Sequence, residues 1–379
     1  MMNYRIPFNR PTLIPEALHC VSEVIRSGKL SGNGPCTHGC ETRLRELTSA
    51  HAALLTSSCT AALEMSALMV EARPSDEVII PSFTFVSTAN AFAMHGFTPI
   101  FADCRPDTLN VDEGTIAPLI GPRTRAIVVM HYGGVACEMD RILALASRHS
   151  LVVVEDNAHG LFAKYKGRPL GSLGSLATQS FHETKNVTSG EGGALLVNAA
   201  SLVGRAEVLR EKGTNRSRFF RGEVDKYTWV DMGSNYLASE IQAAHLLAQL
   251  RASDLVQSMR TAIWNHYDAA LKDWARANGV DRPTVPPHCE HPSHLYYLLM
   301  PTAAARARLI EHLKAQGILA VFHYIPLSVS PMGRKFGGTE GACPVAEDVS
   351  ERLLRLPFYT NLSVDDQNAV IAAVQQFSV

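Results

Sequence analysis

Lys185 and Asp156 have surroundings that favour covalent chemistry. Lys185 lies in a polar, Gly-rich stretch, residues 180–193, and the apolar runs before and after it predict two strands that bracket a turn. An amine held against core strands is partly removed from water, which favours its neutral, nucleophilic form. A solvated surface lysine is the alternative, so the neighbouring residues must decide. Asp156 ends the apolar run that begins at Leu151, where a buried carboxylate requires a cationic partner.

Three groups of polar or aromatic residues also follow predicted strands. Ser57–Thr60 lies between a short strand and the start of a helix, and the free N–H groups of a helix start suit a phosphate. An ordinary Ser/Thr helix cap explains the same residues equally well. Phe83–Phe85 and Asp156–His159 each end a further strand. Because ligands bind at the carboxyl ends of parallel strands, we expect these groups to converge on Ser180–Lys185.

Strands and helices alternate through the first part of the chain. Strands are predicted over 52–55, 77–81, 98–103, 126–131 and 151–156, and helices over 15–27, from 61, over 87–95, 112–120 and 140–149. A hairpin over 165–171 and a strand then lead to Lys185. The alternation predicts an α/β fold with a mostly parallel sheet sandwiched between helices.

The C-terminal part has a different pattern. A helix is predicted from Asn235 to Leu250 and on past Met259, after which several prolines interrupt the chain. Strands over 295–300 and 319–323 and helices over 303–316 and 364–377 follow. We therefore predict a large domain over residues 1–250, which includes the N-terminal segment, and a smaller α+β domain over residues 251–379.

The composition excludes several classes of partner. The 379 residues carry a net charge of −1, which gives no attraction to nucleic acids or membrane surfaces. No apolar run is long enough to cross a bilayer, and the start has no export signal. Eight cysteines without a repeating pattern indicate reduced thiols, so we expect a cytoplasmic protein. We predict no metal site, because strand alternation would split the faces of the cluster His288, Cys289, Glu290, His291 and His294.

A reactive lysine, a carboxylate, a phosphate-binding turn and an aromatic side chain are the parts that pyridoxal 5'-phosphate requires. The lysine amine condenses with the cofactor aldehyde, and the carboxylate keeps the pyridine nitrogen protonated so that the ring can accept electrons. The turn binds the phosphate, and the aromatic side chain, Phe85, lies against the ring. The spacing of 29 residues between Asp156 and Lys185 leaves room for the hairpin and one strand.

The sequence resembles the DegT/DnrJ/EryC1/StrS family of sugar-nucleotide aminotransferases. The matching stretches cover almost the whole chain: 56–63, 81–88, 155–159, 180–186, 233–236 and 322–327. The resemblance implies a fold-type I pyridoxal-phosphate transferase, with a smaller C-terminal α+β domain. Within the family, Phe181–Asn186, Gly213–Phe220 and Val224–Trp229 are most similar to the transaminases that form dTDP-4-amino-4,6-dideoxygalactose.

The resemblance also implies a role for each matching residue. Lys185 matches the lysine that binds the cofactor, and Asp156 the partner of the pyridine nitrogen. The remaining matches are His159 and Phe85 beside the ring, Cys59, Thr60 and Ser180 at the phosphate, and Asn235, which the other subunit of a homodimer donates to the phosphate.

The reaction implied by the resemblance moves an amino group from an amino acid, L-glutamate, to a dTDP-4-keto-6-deoxyhexose. The product would be the galacto 4-amino sugar, used in cell-surface glycans such as the lipopolysaccharide O-antigen. Relatives usually carry His where this chain has Ser328, a position near their sugar-nucleotide site. The identity of the substrate therefore depends on this position. Separately, a 3-keto sugar nucleotide is an alternative substrate.

Two other functions remain alternatives at this point. A pyridoxal-phosphate sugar dehydratase would use the same cofactor, although relatives of that kind carry His in place of Lys185. A non-catalytic regulator that binds sugar nucleotide would keep the fold, but loss of Lys185 or Asp156 would favour it and both are present.

Overall fold

The computed structural model describes residues 4–73 and 75–379. Labels follow chain order. The helices are α1 (Pro15–Ser27), α2 (Pro35–Thr48), α3 (Cys59–Val70), α4 (Val86–Met94), α5 (Glu113–Ile116), α6 (Met139–Arg148), α7 (Val203–Arg210), α8 (Arg216–Phe220), α9 (Glu240–Arg251), α10 (Ser253–Ala277), α11 (Ala303–Ala315), α12 (Pro331–Lys335), α13 (Pro344–Arg352) and α14 (Val364–Gln375).

The strands form one large sheet and two small ones. They are β1 (Ala52–Thr56), β2 (Glu77–Pro81), β3 (Thr98–Ala102), β4 (Thr124–Met130), β5 (Val152–Asp156), β6 (Lys164–Tyr165), β7 (Arg168–Pro169), β8 (Leu176–Ser180), β9 (Gly193–Val197), β10 (Cys289–Glu290), β11 (Tyr297–Leu299) and β12 (Leu353–Arg355). The large sheet has seven strands in the order β1-β9-β8-β5-β4-β2-β3, and β9 alone runs opposite to the others. The mostly parallel sheet predicted from the sequence is confirmed.

The strand directions bring the predicted site groups to one edge of the sheet. Because β1 and β8 are both antiparallel to β9, they run in the same direction as β2, β4 and β5. The carboxyl ends of β1, β2, β5 and β8 therefore face the same side. The strands are buried because helices cover the sheet, as expected for a parallel core.

Helices α3 and α2 have N–H groups of the first turn satisfied in different ways. Ser58 precedes α3, and its hydroxyl accepts a hydrogen bond from Ala61 N–H at 3.0 Å. Helix α2 has no local side-chain cap, and its first N–H groups donate instead to the buried Glu240 carboxylate of α9. Helix α2 was not predicted from the sequence, because its capping residue lies about 200 positions further along the chain.

Two other predicted elements differ from the structure. The helix expected from Asn235 begins at Glu240 behind a capping box of Ser239 and Gln242, because the Asn235 backbone is bridged to Glu211. The strand expected over 319–323 is absent from the described residues, where Val321 makes only one isolated bridge. Residues 319–323 therefore make an isolated backbone bridge instead of a continuous β-ladder.

A separate hydrophobic core lies in the C-terminal part of the chain. It joins α10, α11 and α14 to β11 and β12, and Ile6 is its one member outside residues 263–377 among the described residues. No helix in the described ranges is long and apolar enough to cross a membrane.

Candidate active site

Asp156 is a buried carboxylate at the carboxyl end of β5. Its Oδ2 accepts a hydrogen bond from the Thr88 hydroxyl at 2.7 Å, and its Oδ1 accepts one from Ala158 N–H at 3.2 Å. Burial raises the pKa of Asp156, and these two hydrogen bonds together with the positive charge of Lys185 oppose that shift. A positive group placed beside Asp156 would stabilise its ionised form.

Lys185 lies in the turn between β8 and β9, as predicted. Its backbone N–H donates to the carbonyl of His182 at 2.9 Å. Burial of the amine lowers the pKa of Lys185 to about 8, although the neighbouring Cys59 and Asp156 work in the opposite direction. The side chain borders a small cavity with Ser180, whose other lining residues are Ala158, His159, Leu161, Asn186, Val187 and His294. Lys185 is therefore an amine with an accessible neutral form.

The turn between β1 and α3 lies against the start of β9. The Cys59 thiol donates to the Thr178 hydroxyl at 3.5 Å, and Thr178 is the β8 residue that pairs with Asp156. The Thr60 hydroxyl donates to that of Ser87 at 2.9 Å. A side chain at Gly193 would come within 2.3 Å of the Cys59 nitrogen, so only glycine allows this approach.

His159 lies in a stack of buried imidazoles. Its ring centroid is 4.2 Å from that of His294 and 6.1 Å from that of His323. Gly133 N–H donates to His159 Nδ1 at 3.3 Å, which assigns the proton of the neutral ring to Nε2. Burial lowers the pKa of His159 far below its usual range, and the charges of Lys185 and Arg355 lower it further. The ring is therefore neutral and offers a flat face.

Phe85 and Asn235 lie outside this buried cluster in the single chain. Phe85 is 56% exposed, and its ring centroid is 6.2 Å from that of Tyr324. Phe83, two residues earlier, is buried and packs edge-on against Tyr132 at 5.3 Å. Asn235 is exposed, although the carbonyl of Tyr236 accepts from Ser57 N–H at the turn after β1.

Ser328 and the histidine cluster around His288 are both held by contacts within the chain. Ser328 is fully buried, and its hydroxyl is 2.9 Å from that of Ser82. His288 pairs with Glu138 at 2.9 Å, and the His291 ring packs on Trp264 at 4.5 Å. Within the described ranges, no three side chains of the metal-binding types form a group that could hold a metal ion.

Three residues at this site were missed by the sequence analysis. They are Thr88, which hydrogen-bonds to Asp156, His294, which stacks on His159, and Arg355, whose charge acts on Lys185. His294 is held by Asn186, whose side-chain oxygen lies 2.8 Å from His294 Nδ1. Arg355 had one local signal, since it is the charged residue of the apolar run Leu353–Leu356.

The residues present fit pyridoxal 5'-phosphate. The cofactor has an aldehyde, a basic ring nitrogen and a phosphate, and the site offers a lysine of lowered pKa, a buried carboxylate and a helix start. Within the described residues, the backbone N–H groups of Cys59 and Thr60 have no hydrogen-bond acceptor, so both remain available to a phosphate.

Comparison with known proteins identifies a matching family and close structural neighbours. The model of the DegT/DnrJ/EryC1/StrS aminotransferase family matches residues 11–375. The chain is 35% identical over 381 residues to the spore coat polysaccharide biosynthesis protein SpsC of Bacillus subtilis, covering 98% of this chain and 97% of SpsC.

Solved structures agree with this match. The aminotransferase TlmJ from Streptoalloteichus hindustanus has a TM-score of 0.89 at 31% identity, with 98% of each chain covered. Spr1654 from Streptococcus pneumoniae, at 26% identity and 98% coverage of each chain, has a TM-score of 0.90 in its PLP form and 0.91 in its PMP form. These neighbours confirm the fold class expected from the sequence.

Proposed function

The chain belongs to the DegT/DnrJ/EryC1/StrS aminotransferase family, and we propose that it transfers the amino group of L-glutamate to a nucleotide-linked keto sugar. The family implies pyridoxal phosphate as cofactor, which the PLP and PMP forms of Spr1654 support. The observation that carries the proposal is Lys185, an amine of pKa about 8 at the same sheet edge as the buried Asp156.

Eight residues are proposed to hold the cofactor. Lys185 binds its aldehyde, Asp156 its ring nitrogen, and His159 and Phe85 the ring. The proposed phosphate ligands are Cys59, Thr60, Ser180 and, from the other subunit, Asn235. When bound, the cofactor supplies a carbon that carries the amino group and a ring that accepts electrons.

Lys185 is proposed to move the proton during transfer. Lys185, which would hold the cofactor aldehyde, would also supply the basic amine for proton transfer at the donor α-carbon. An amine of pKa about 8 holds both protonation states near neutrality, so it can accept a proton and return it. Asp156 acts throughout as a fixed negative charge, and Thr88 orients its carboxylate.

The proposed acceptor is a dTDP-4-keto-6-deoxyhexose, and the proposed product is the 4-amino sugar of galacto configuration. The support is the similarity of Phe181–Asn186 and the basic segment from Gly213 to transaminases that form this sugar. SpsC, which shares 35% of the aligned residues, is named as a polysaccharide biosynthesis protein. A cell-surface glycan is the proposed destination. We place the enzyme in the cytoplasm, where its cysteines, all free in the structure, would stay reduced.

A homodimer with a shared site is part of the proposal. Asn235 is exposed, and several apolar side chains just before it are exposed as well: Trp229 by 73%, Val230 by 53% and Met232 by 65%. An apolar surface of this kind is typical of a protein interface, and two-fold symmetry is the commonest arrangement. The division into residues 1–250 and 251–379 also belongs to the proposal, supported by the separate C-terminal core.

One incubation tests the proposed reaction. The enzyme, pyridoxal phosphate, L-glutamate and dTDP-4-keto-6-deoxyglucose are combined, and the sugar product is identified by NMR. We expect a 4-amino sugar with an axial amine, formed only when glutamate is present. A product formed equally well without an amino donor would indicate a dehydratase, and an equatorial amine would correct the stereochemistry.

A further inference from the structure

Two arginines in the C-terminal part of the chain lie among apolar residues without a carboxylate partner in the described structure. The first, Arg260, donates to the carbonyls of Ser293 and His294 at 3.2 and 2.6 Å, and its third nitrogen lies 3.5 Å from the Thr360 hydroxyl. Its guanidinium also packs over the Phe358 ring at 4.8 Å. Arg260 is thus satisfied by the protein and has a structural role.

The second arginine, Arg355, is not satisfied in this way. Its Nε is buried without a hydrogen-bond partner, and its guanidinium makes no hydrogen bond or ion pair with any described residue. The guanidinium packs over the ring of Phe8 at 4.6 Å. Arg355 as a whole is partly buried. A guanidinium partly removed from water without an anion is costly, so its presence indicates a site for an anion that comes from outside the chain.

The backbone fixes Arg355 beside the candidate active site. Arg355 N–H donates to the Val321 carbonyl at 2.7 Å, and Val321 N–H donates back at 3.1 Å. Two residues later, His323 lies 3.0 Å from the Tyr132 hydroxyl and stacks towards His159. The positive charge of Arg355 also lowers the pKa of Lys185 and that of His159. The backbone therefore holds Arg355 beside the segment whose His323 packs against the candidate site.

The N-terminal segment supplies Phe8, whose ring packs against the Arg355 guanidinium. Ile6 is bridged to Ile318, and the Phe8 carbonyl accepts from Phe358 N–H at 3.1 Å. The Asn9 side chain donates to the Glu183 carbonyl at 3.3 Å, in the turn that carries Lys185. Phe8 is thus fixed between the C-terminal core and the turn, and its ring covers one face of Arg355.

We propose that Arg355 binds the α-carboxylate of the amino donor, an inference that rests on the proposed function. A guanidinium matches a carboxylate in a two-point hydrogen bond. A sugar diphosphate is the other anion of the proposed reaction. The α-carboxylate is bonded to the carbon that carries the transferred amine, whereas the diphosphate is separated from the keto carbon by the sugar ring. An arginine whose charge acts on Lys185 therefore suits the carboxylate.

The two halves of the reaction test this assignment separately. In the first half, L-glutamate converts the PLP form of the enzyme to the PMP form, which cofactor absorbance follows. For Arg355→Gln we expect kcat/KM for L-glutamate to fall about 10²-fold, mainly through KM. In the second half, the PMP form reacts with the keto sugar nucleotide, and we expect that rate to stay within about threefold of wild type.

Matched substrates and variants make the result specific. 4-Aminobutyrate is glutamate without the α-carboxylate, so its low rate should be the same in wild type and Arg355→Gln. Arg306→Gln is the control variant, because Arg306 also has a buried, unpaired Nε but lies in the first turn of α11. Arg355→Lys keeps the charge and loses the two-point geometry, so we expect about a tenfold loss with L-glutamate. If Arg355→Gln does not fold, Arg355→Lys alone decides.

A binding measurement adds a readout that does not depend on turnover. Calorimetric titration with glutarate should show weaker binding to Arg355→Gln than to wild type or Arg306→Gln. If Arg355→Gln reacts slowly with the sugar nucleotide but normally with L-glutamate, Arg355 binds the diphosphate and the inference is overturned. The inference would also be overturned if Arg355→Gln carried out both half-reactions at wild-type rates. A wild-type enzyme that accepts amine from no amino acid would instead overturn the proposed function, and this inference with it.

Discussion

Glu155 and Asp156 are consecutive carboxylates on β5, yet their surroundings shift their pKa values in opposite directions. Glu155 accepts hydrogen bonds from the N–H groups of Gly171, Leu173 and Gly174 at 2.9, 2.7 and 2.7 Å, and it pairs with His131 at 3.0 Å. Burial alone would raise the pKa of Glu155, but these partners lower it overall. Asp156 has two hydrogen-bond partners, and burial raises its pKa.

The difference separates structural polar groups from those available to a ligand. Strand alternation directs the two side chains to opposite faces of the sheet, so one is surrounded by its own chain and the other faces the candidate site. Arg260 and Arg355 repeat the contrast with positive charge. At this sheet edge, therefore, an ionic group that its own chain does not satisfy is a candidate for ligand binding, whereas an equally buried group that the chain does satisfy is structural.

Of substitutions at the two carboxylates, Asp156→Asn should cause the larger loss of transamination rate. The amide has the shape of the carboxylate but cannot keep a ring nitrogen protonated, so we expect transamination to fall ~10²–10³-fold. The cofactor-free variant should be more stable than wild type near neutrality. Because the folded pKa of Asp156 is raised, its stabilising contribution is present below the unfolded pKa and is lost as the pH rises. Steady-state kinetics and thermal unfolding measure the two effects, and a variant with wild-type turnover would remove Asp156 from the mechanism.

Asn235 extends the comparison to the surface, because its exposed side chain has no hydrogen-bond partner in the described structure. Lys185→Ala and Asn235→Asp should each be inactive alone, the second because a negative charge would face the phosphate. In a mixed dimer with shared sites, one site carries both changes and the other carries neither. Random subunit exchange makes half of the dimers mixed, so about a quarter of wild-type activity should return.

The control for this mixture is subunit exchange itself. Native mass spectrometry shows whether mixed dimers form, and unmixed samples of each variant give the background rate. If mixed dimers are present and no activity returns, Asn235 serves the cofactor of its own subunit or none.

Glu155→Gln should affect stability rather than catalysis. Breaking the buried pair with His131 should cost about 3 kcal/mol of unfolding free energy, while turnover at a permissive temperature changes less than about twofold. The folded pKa of Glu155 is lowered, so its contribution is present above the unfolded pKa of about 4.3 and is lost as the pH falls. The gap between wild type and variant in thermal unfolding should therefore narrow in acid. An equal gap at all pH values would contradict the account of Glu155.

Much of this site could be predicted from the sequence, because its residues follow strand ends. Lys185, Asp156 and Ser180 were found from apolar runs and the polar residues after them, and parallel pairing brings those ends together. Thr88, His294 and Arg355 come from a helix, an irregular segment and a short strand far away in the chain. Their positions depend on tertiary packing, for which a single sequence carries no local pattern. Helix α2 was missed for the same reason, since Glu240 caps it from a distance.

The smallest predicted effect concerns the pH at which Lys185 becomes reactive. With a pKa of about 8, roughly one amine in ten is neutral at pH 7, whereas fewer than about one in a thousand would be neutral at the ordinary value. The rate at which cofactor-free protein captures pyridoxal phosphate should therefore rise with pH and level off above about 8. Borohydride reduction and peptide mapping confirm that the label is on Lys185.

Arg355 lowers the pKa of Lys185, so Arg355→Gln should move this inflection to higher pH, whereas Arg306→Gln should leave it in place. An inflection near the ordinary lysine value in wild type would show that the amine is solvated. A normal inflection that Arg355→Gln does not move would instead place the guanidinium too far from Lys185 to bind a carboxylate attached to the reacting carbon. The titration of the Lys185 amine therefore tests whether the charge of Arg355 acts on Lys185. Such an interaction is expected if both groups, unlike Glu155, face the same ligand site.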